Sequence, residues 1–236
     1  MTVSDESGLK DDLTLACRIL AAQGQSDAIF GHVAARLPGW DRFWMKPSGI
    51  GLEEVGERDL VLVDFDGRVL AGEGPRHAEY PIHAEVMRAR PDVLAVVHTH
   101  PRHCIALAAR GAELRPVCHE GCFFWPPGVP VFSEFTDLVR TREQGEAVAR
   151  GLGHARAVFL RNHGVVVVGA TVPEACYLAI ALERAAEIQL LAQPAAEAEF
   201  HHTAEEEALL KQQILTQQHL RPVFEYYART LPPERG

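Results

Sequence analysis

Three histidines in two short elements carry the chemistry this sequence offers. His98-Thr99-His100 closes the apolar run Leu94-Ala95-Val96-Val97, and His163 stands within Arg161-Asn162-His163-Gly164. The apolar run reads as a strand, and strand side chains alternate between faces, so residues two apart project the same way. Both imidazoles then point to one side at the strand's end, where Pro101 blocks continuation of the ladder. His163 falls between two further apolar runs, Ala157 to Leu160 and Val165 to Val168, and that pattern reads as a strand-turn-strand corner. Three neutral imidazoles with an open position describe a catalytic divalent metal site. One ion per subunit is the expected cofactor, and these donors suit zinc, manganese, iron and cobalt alike.

A His-x-His pair alone is a modest signal in a chain with 12 histidines, and His201-His202, in a polar stretch, reads as surface. Weight comes from an acidic element upstream. Glu79-Tyr80-Pro81-Ile82-His83 lies in a helical pattern from Glu79 to Arg90 that runs directly into the histidine strand. Glu79 and His83 are four apart and so share a helix face. A carboxylate and an imidazole beside the strand are the parts of a metal-assisted acid–base site. Glu79 is the expected catalytic acid or base, and His83 a partner that orients a ligand from behind.

The elements that must position these groups alternate between helix and strand. Leu9 to Gln23 carries an apolar stripe of Leu13, Ala16, Cys17, Leu20 and Ala21 at helical spacing. Phe30 to Leu37 and Phe43 to Lys46 read as strands, and Pro47 to Gly51 as a turn. Leu60 to Asp64 and Arg68 to Leu70 bracket Asp66-Gly67, a hairpin signal because Asp-Gly favours positive φ. A helix is expected near His103 to Arg110, and a long ordered loop or short strands over Pro116 to Val131. Thr141-Arg142-Glu143-Gln144 and Thr171-Val172-Pro173-Glu174 fit capping boxes, the second opening a helix to about Ala192. Pro194 to His202 reads as a linker, Thr203 to Glu206 as another capped start, and the tail carries Phe224-Glu225-Tyr226-Tyr227. The hairpin and the His163 corner imply antiparallel pairing, against a purely parallel doubly wound sheet.

Length and composition frame this as one domain spanning residues 1–236, with a helical tail over 194–236. The 236 residues suffice to bury a real core, and 47% hydrophobic with 23% charged residues is ordinary globular composition. A formal charge of -9 without a basic stripe argues against nucleic acid as a partner. No apolar run approaches membrane-spanning length, and the polar start Met1 to Glu6 shows no signal peptide. The five cysteines lack metal-type pairs and read as free thiols in a reducing cytoplasm. No Gly-rich nucleotide loop and no Gly-x-Ser-x-Gly elbow occurs. Ser48, in Lys46-Pro47-Ser48-Gly49, is explained by turn chemistry before nucleophilic chemistry, with a substrate-anchoring hydroxyl or backbone amide as the second reading there.

In order, Lys46-Pro47-Ser48-Gly49, Glu79-x-x-x-His83, His98-Thr99-His100-Pro101 and Arg161-Asn162-His163-Gly164 resemble the class II aldolase/adducin family. A fifth match is the Gly164 to Gln189 block with its Leu182-Glu183-Arg184-Ala185-Ala186 run, and the resemblance covers roughly Leu9 to Ala192. It implies a three-layer α/β/α sandwich around a mainly antiparallel sheet, and a homotetramer with sites at subunit interfaces. By the same likeness His98, His100 and His163 would hold the divalent metal and Glu79 would be the acid/base. Adducin-type members, which bind cytoskeleton, typically lack the full metal set that this chain retains.

Departures from the family point to the substrate. Sugar-phosphate members carry Gly-Asn-x-Ser near residue 32 and Ser-Ser before the glutamate, small polar groups that cradle phosphate. Here those places read Gly31-His32-Val33-Ala34 and His77-Ala78, which removes hydrogen bonds a doubly charged phosphate requires. The chain looks more like the branch that decarboxylates hydroxylated aromatic or heteroaromatic acids. The expected function is therefore a metal-dependent carbon–carbon lyase acting on a small anionic organic substrate. Alternatives are an aldolase or epimerase on a small hydroxy-carbonyl compound, a non-haem iron oxygenase, and last an adducin-like interaction module. Candidate substrate contacts are Lys46, Ser48, Gly49, His32, His77 and Arg161. Each has a plainer reading: Lys46 and Arg161 as surface charges, His32 as a satisfied core histidine.

Overall fold

The strands are β1 (His32–Ala35), β2 (Arg42–Met45), β3 (Val61–Asp64), β4 (Val69–Ala71), β5 (Ala95–Thr99), β6 (Val131–Phe132), β7 (Ala157–Leu160) and β8 (Gly164–Gly169). They form one sheet in the order β4-β3-β2-β1-β5-β8-β7-β6. Only β6 and β7 pair in parallel; every other neighbouring pair is antiparallel. This computed structural model describes residues 6–192, 203–213 and 215–232. The linker expected over Pro194 to His202, and with it His201-His202, lies outside the described residues.

Strand alternation divides the core in two. Val33, Ala35, Ala95, Val97, Val165 and Val167 face one layer with α1 (Glu6–Leu20), α3 (Arg102–Ala109) and α5 (Val172–Ala192). Ala34, Val96, Val166 and Val168 face the other, with α2 (Tyr80–Ala89) and α4 (Arg142–Leu152). The result is the expected α/β/α sandwich, and a central strand such as β5 is buried on both faces. Parity then decides where the histidines go. His32 shares the face of Ala34 and His98 that of Val96, so both rings project toward α2. Thr99 points the opposite way, where its hydroxyl bonds Gln25 Oε1 at 2.7 Å.

The histidine strand and its acidic helix are held by two close approaches. A Cβ added at Gly145 of α4 would lie 2.5 Å from the Pro81 carbonyl of α2, so glycine lets these helices touch. The corner between β7 and β8 closes with His163 N–H donating to Leu160 O at 3.0 Å. Asn162 takes φ +59 there, a left-handed conformation that Asn tolerates better than most residues.

Several sequence expectations shift by a residue or a partner. The Thr141 box forms in full, with Thr141 Oγ1 accepting from Gln144 N–H and the Gln144 side chain returning to the Thr141 amide. The Thr171 box forms in half, because the Glu174 carboxylate accepts from Ala170 N–H rather than from Thr171. The start expected at Thr203 is corrected. The helix α6 (Glu205–Gln212) begins after Ala204, with no side-chain cap there, and the Thr203 hydroxyl instead accepts from Lys211 at 3.4 Å. Phe123 and Phe124 fill the core, while the last helix, α7 (Gln217–Arg229), buries Leu220 and Phe224 and leaves Tyr226 exposed. Among the described residues no helix is long and apolar enough to cross a membrane.

Candidate metal centre

His98 ends β5, His100 follows it by two residues, and the β7–β8 corner brings His163 alongside; their ring centroids lie 5.0 to 5.3 Å apart. Gly164 permits this approach, since a Cβ there would fall 2.5 Å from Thr99 O and 2.7 Å from the His100 ring. Hydrogen bonds behind the rings decide which nitrogen faces forward. His98 Nδ1 meets the Val165 carbonyl at 2.9 Å and His100 Nδ1 meets an Asp27 carboxylate oxygen at 2.9 Å. A carbonyl and a carboxylate are acceptors, so both Nδ1 atoms carry hydrogen, and in neutral rings both Nε2 atoms present lone pairs.

Those two lone pairs face each other across 3.2 Å. His163 Nε2, buried and without a hydrogen-bond partner, completes the group. Two acceptors facing each other repel, and a buried polar atom left unmatched costs about 1–3 kcal/mol. A cation removes that penalty, and the donor set is of the kind that holds zinc or a similar divalent ion with a position left open. Burial pushes His163 down to about 4, with His100 adding to the effect, and His98 well below its ordinary value. Both rings are thus neutral and ready to ligate.

Glu79 stands over this cluster. The helix expected to include it begins at Tyr80, and Glu79 occupies the position just before, with non-helical backbone. Its Oε1 accepts from Val139 N–H at 2.9 Å and lies 3.7 Å from His163 Nε2, while Oε2 lies 3.8 Å from His98 Nε2 and 3.9 Å from His32 Nε2. Burial raises its pKa, partly offset by the Val139 amide.

His83 does not pair with Glu79. It lies on α2, and its Nε2 meets His32 Nδ1 at 2.5 Å. His83 Nδ1 is buried without a partner, whereas His32 Nε2 faces an acceptor, Glu79 Oε2, 3.9 Å away. The shared hydrogen therefore belongs to His83 Nε2, His32 Nδ1 accepts it, and His32 Nε2 carries a hydrogen toward Glu79. In that arrangement His32 Nε2 turns a hydrogen, not a lone pair, toward Glu79 and His98, both within ligand distance of it. His32 stands opposite His98 in the β1–β5 register.

Next to His32, at 4.2 Å between ring centroids, is His77. It hydrogen-bonds the Ile29 carbonyl, burial lowers it to about 4, and its Nε2 is buried without a partner. Lys46 is not a surface charge. It is 0% exposed, and its Nζ donates to Ile29 O at 2.9 Å and Pro47 O at 3.2 Å. Its pKa is lowered by burial, and its charge in turn helps to depress His32 and His77. The Ser48 amide donates to Pro75 O at 2.8 Å, so it is not a free anchor, and the half-exposed Ser48 hydroxyl is what that turn still offers. Gly49 is exposed at φ +96, and Arg161 is half-buried beside His163 in the corner. Sequence reasoning missed Asp27, the Val139 amide and the Ile29 carbonyl. Two of the three are backbone groups, which no residue type advertises.

The chain belongs to the class II aldolase and adducin family, whose N-terminal domain model matches residues 11–190. It is an enzyme of the lyase type, in a family that uses a divalent metal. Among its relatives, a 3,4-dihydroxyphthalate decarboxylase from Arthrobacter keyseri is 34% identical over 199 residues, 78% of each chain. An aldolase II superfamily protein from Pseudomonas syringae superposes with a TM-score of 0.83 at 28% identity, covering 94% of this chain and 91% of that one. The L-fuculose 1-phosphate aldolase from Glaciozyma antarctica PI12 does so with a TM-score of 0.80 at 27% identity, covering 94% and 88%.

Proposed function

We propose that this lyase decarboxylates an ortho-hydroxylated aromatic or heteroaromatic carboxylate. The observation that carries the reading is a pair of unpartnered buried nitrogens of opposite hydrogen-bonding sense beside the three-histidine cluster. His32 Nε2 offers a hydrogen, whereas neutral His77, already donating to Ile29 O, offers a lone pair at Nε2. Such a pair suits an anionic oxygen next to a hydroxyl and lacks the several donors a phosphate needs. Lys46, a buried cation whose Nζ donates to two carbonyls, favours a negative ligand on the same side. Arg161 and the Ser48–Gly49 turn complete the proposed contacts.

His98, His100 and His163 would hold a divalent ion, which would supply Lewis acidity toward the substrate's hydroxyl and carboxylate. The reaction breaks the bond between ring carbon and carboxyl carbon, and the electron pair stays on the ring carbon. Glu79 delivers the proton that takes carbon dioxide's place, and its raised pKa keeps that proton available. Solvent then reprotonates Glu79. A second reading, aldol cleavage of a small hydroxy-carbonyl compound, draws on the likeness to the fuculose phosphate aldolase. Homotetrameric assembly with shared sites, and a reducing cytoplasm suited to the five free cysteines, belong to the same proposal.

Ortho-hydroxylated aromatic acids and phosphosugars should be assayed side by side without oxygen, with manganese, zinc or ferrous iron added. Carbon dioxide release from the aromatic panel is expected. Cleavage of phosphosugars alone would favour the aldolase, and a strict need for oxygen and ferrous iron would favour an oxygenase. Alanine at His98, His100 or His163 should strip the metal by elemental analysis; full occupancy in all three would end the site.

A further inference from the structure

The three proposed ligands are not supported alike. His98 is locked from behind by a strand carbonyl, Val165 O, inside the sheet. His100 lies beyond the end of β5, where no ladder reaches, and its Nδ1 instead meets a carboxylate 73 residues earlier, Asp27 Oδ2 at 2.9 Å. Asp27 is not there to fill space, because its side chain is 53% exposed. Its backbone is set by a tight turn in which Phe30 N–H donates to Asp27 O at 2.9 Å. Ala28 in that turn takes φ +47, a left-handed conformation that costs an L-residue with a Cβ about 1–2 kcal/mol. Strain of this kind persists where surrounding structure demands it, often at functional sites.

The geometry points to Asp27 as a positioning residue for the metal centre, resting on the assignment of His98, His100 and His163 as ligands. Its carboxylate accepts the His100 Nδ1 hydrogen, which excludes the tautomer with hydrogen on Nε2 and fixes the ring's rotation. Without it, neutral His100 divides between two tautomers, one of which cannot ligate. The anion also increases the electron density the imidazole offers. Carboxylates in this relation to a ligating histidine typically change metal affinity by about 10- to 100-fold. The same turn serves the substrate side: Ile29 O holds both Lys46 Nζ and the His77 ring. The turn itself closes through backbone atoms, so removing the Asp27 side chain leaves its hydrogen bond in place.

The test is cobalt(II) binding to the chelator-stripped full-length protein, titrated against a competing chelator, with the visible absorption of the bound ion recorded alongside. Asp27→Ala should weaken cobalt by about 10- to 100-fold and change its spectrum, with little change in the thermal midpoint of the metal-free protein. Asp27→Asn can still accept the same hydrogen through its amide oxygen. It should restore the spectrum and recover part of the affinity, which a merely structural role does not predict. Unchanged affinity and spectrum in Asp27→Ala, or a loss that Asp27→Asn does not reduce, overturns the proposal. His100→Ala is the companion control: if it keeps cobalt at wild-type affinity, the ligand assignment itself has failed.

Discussion

Chelating the metal and lowering the pH should destabilise this protein at a pH where ordinary surface carboxylates are still ionised. Burial holds His77 and His163 down to about 4 and His83 to about 3, against an ordinary value of 6.5. In the folded chain these rings remain neutral between 6.5 and about 5, whereas the unfolded chain protonates them. The stability they contribute is complete above 6.5 and lost as pH falls toward the folded values. One pKa unit corresponds to about 1.4 kcal/mol, so three groups together remove roughly 5 kcal/mol between pH 6.5 and about 5. That is comparable with the whole stability of many domains, roughly 5–15 kcal/mol. His32 and His98, lowered in the same direction, add to the loss. Asp12, Glu79, Glu85 and Glu174, raised by burial, oppose it by binding protons in the folded state. Urea titrations of metal-free protein at pH 7, 6 and 5 read the effect. With a slope of about 2–3 kcal/mol per molar urea, the midpoint should fall by about 2 M. His77→Gln, which removes one titrating ring, should lessen the fall by about a third. A midpoint that stays flat from pH 7 to 5 would refute the claim that these rings are buried and neutral.

Glu79→Gln keeps the shape and the contact with Val139 but removes the transferable proton. Turnover should drop on the order of 100-fold or more while elemental analysis still finds metal; near-normal turnover would move the proton donor elsewhere, to His83 first. Gly164→Ala pushes a methyl group against Thr99 O and the His100 ring. It should lower stability by about 1–3 kcal/mol and weaken cobalt binding, both measurable in one thermal and one titration experiment. Light scattering at assay concentration should report a tetramer, and a fully active monomer would remove shared sites from the proposed function.

Much of this was legible in the sequence. Alternation alone put His98 and His100 on one face, and the corner holding His163 was readable from two apolar runs around Arg161-Asn162-His163-Gly164. The Thr141 box and the end of α5 at Ala192 were equally local, because caps and helix periodicity depend on neighbours a few residues away. Where a reading of the site failed, the partner was distant. Glu79 and His83 were placed on one helix face, but Glu79 stops short of the helix to meet Val139 N–H, and His83 turns to His32 on β1. Lys46, a candidate substrate contact, had a plainer reading as a surface charge because residue type says nothing about burial; the fold covers it completely. Asp27 carried no signal at all, since its relation to His100 exists only after a strained turn is brought to the end of β5. Sequence by itself determined which side chains can bind metal and which faces they share, since those follow from backbone periodicity. Tertiary structure decided which nitrogen faces inward, which groups are neutral and what supports each ligand, because those depend on hydrogen-bond partners and desolvation contributed by remote segments.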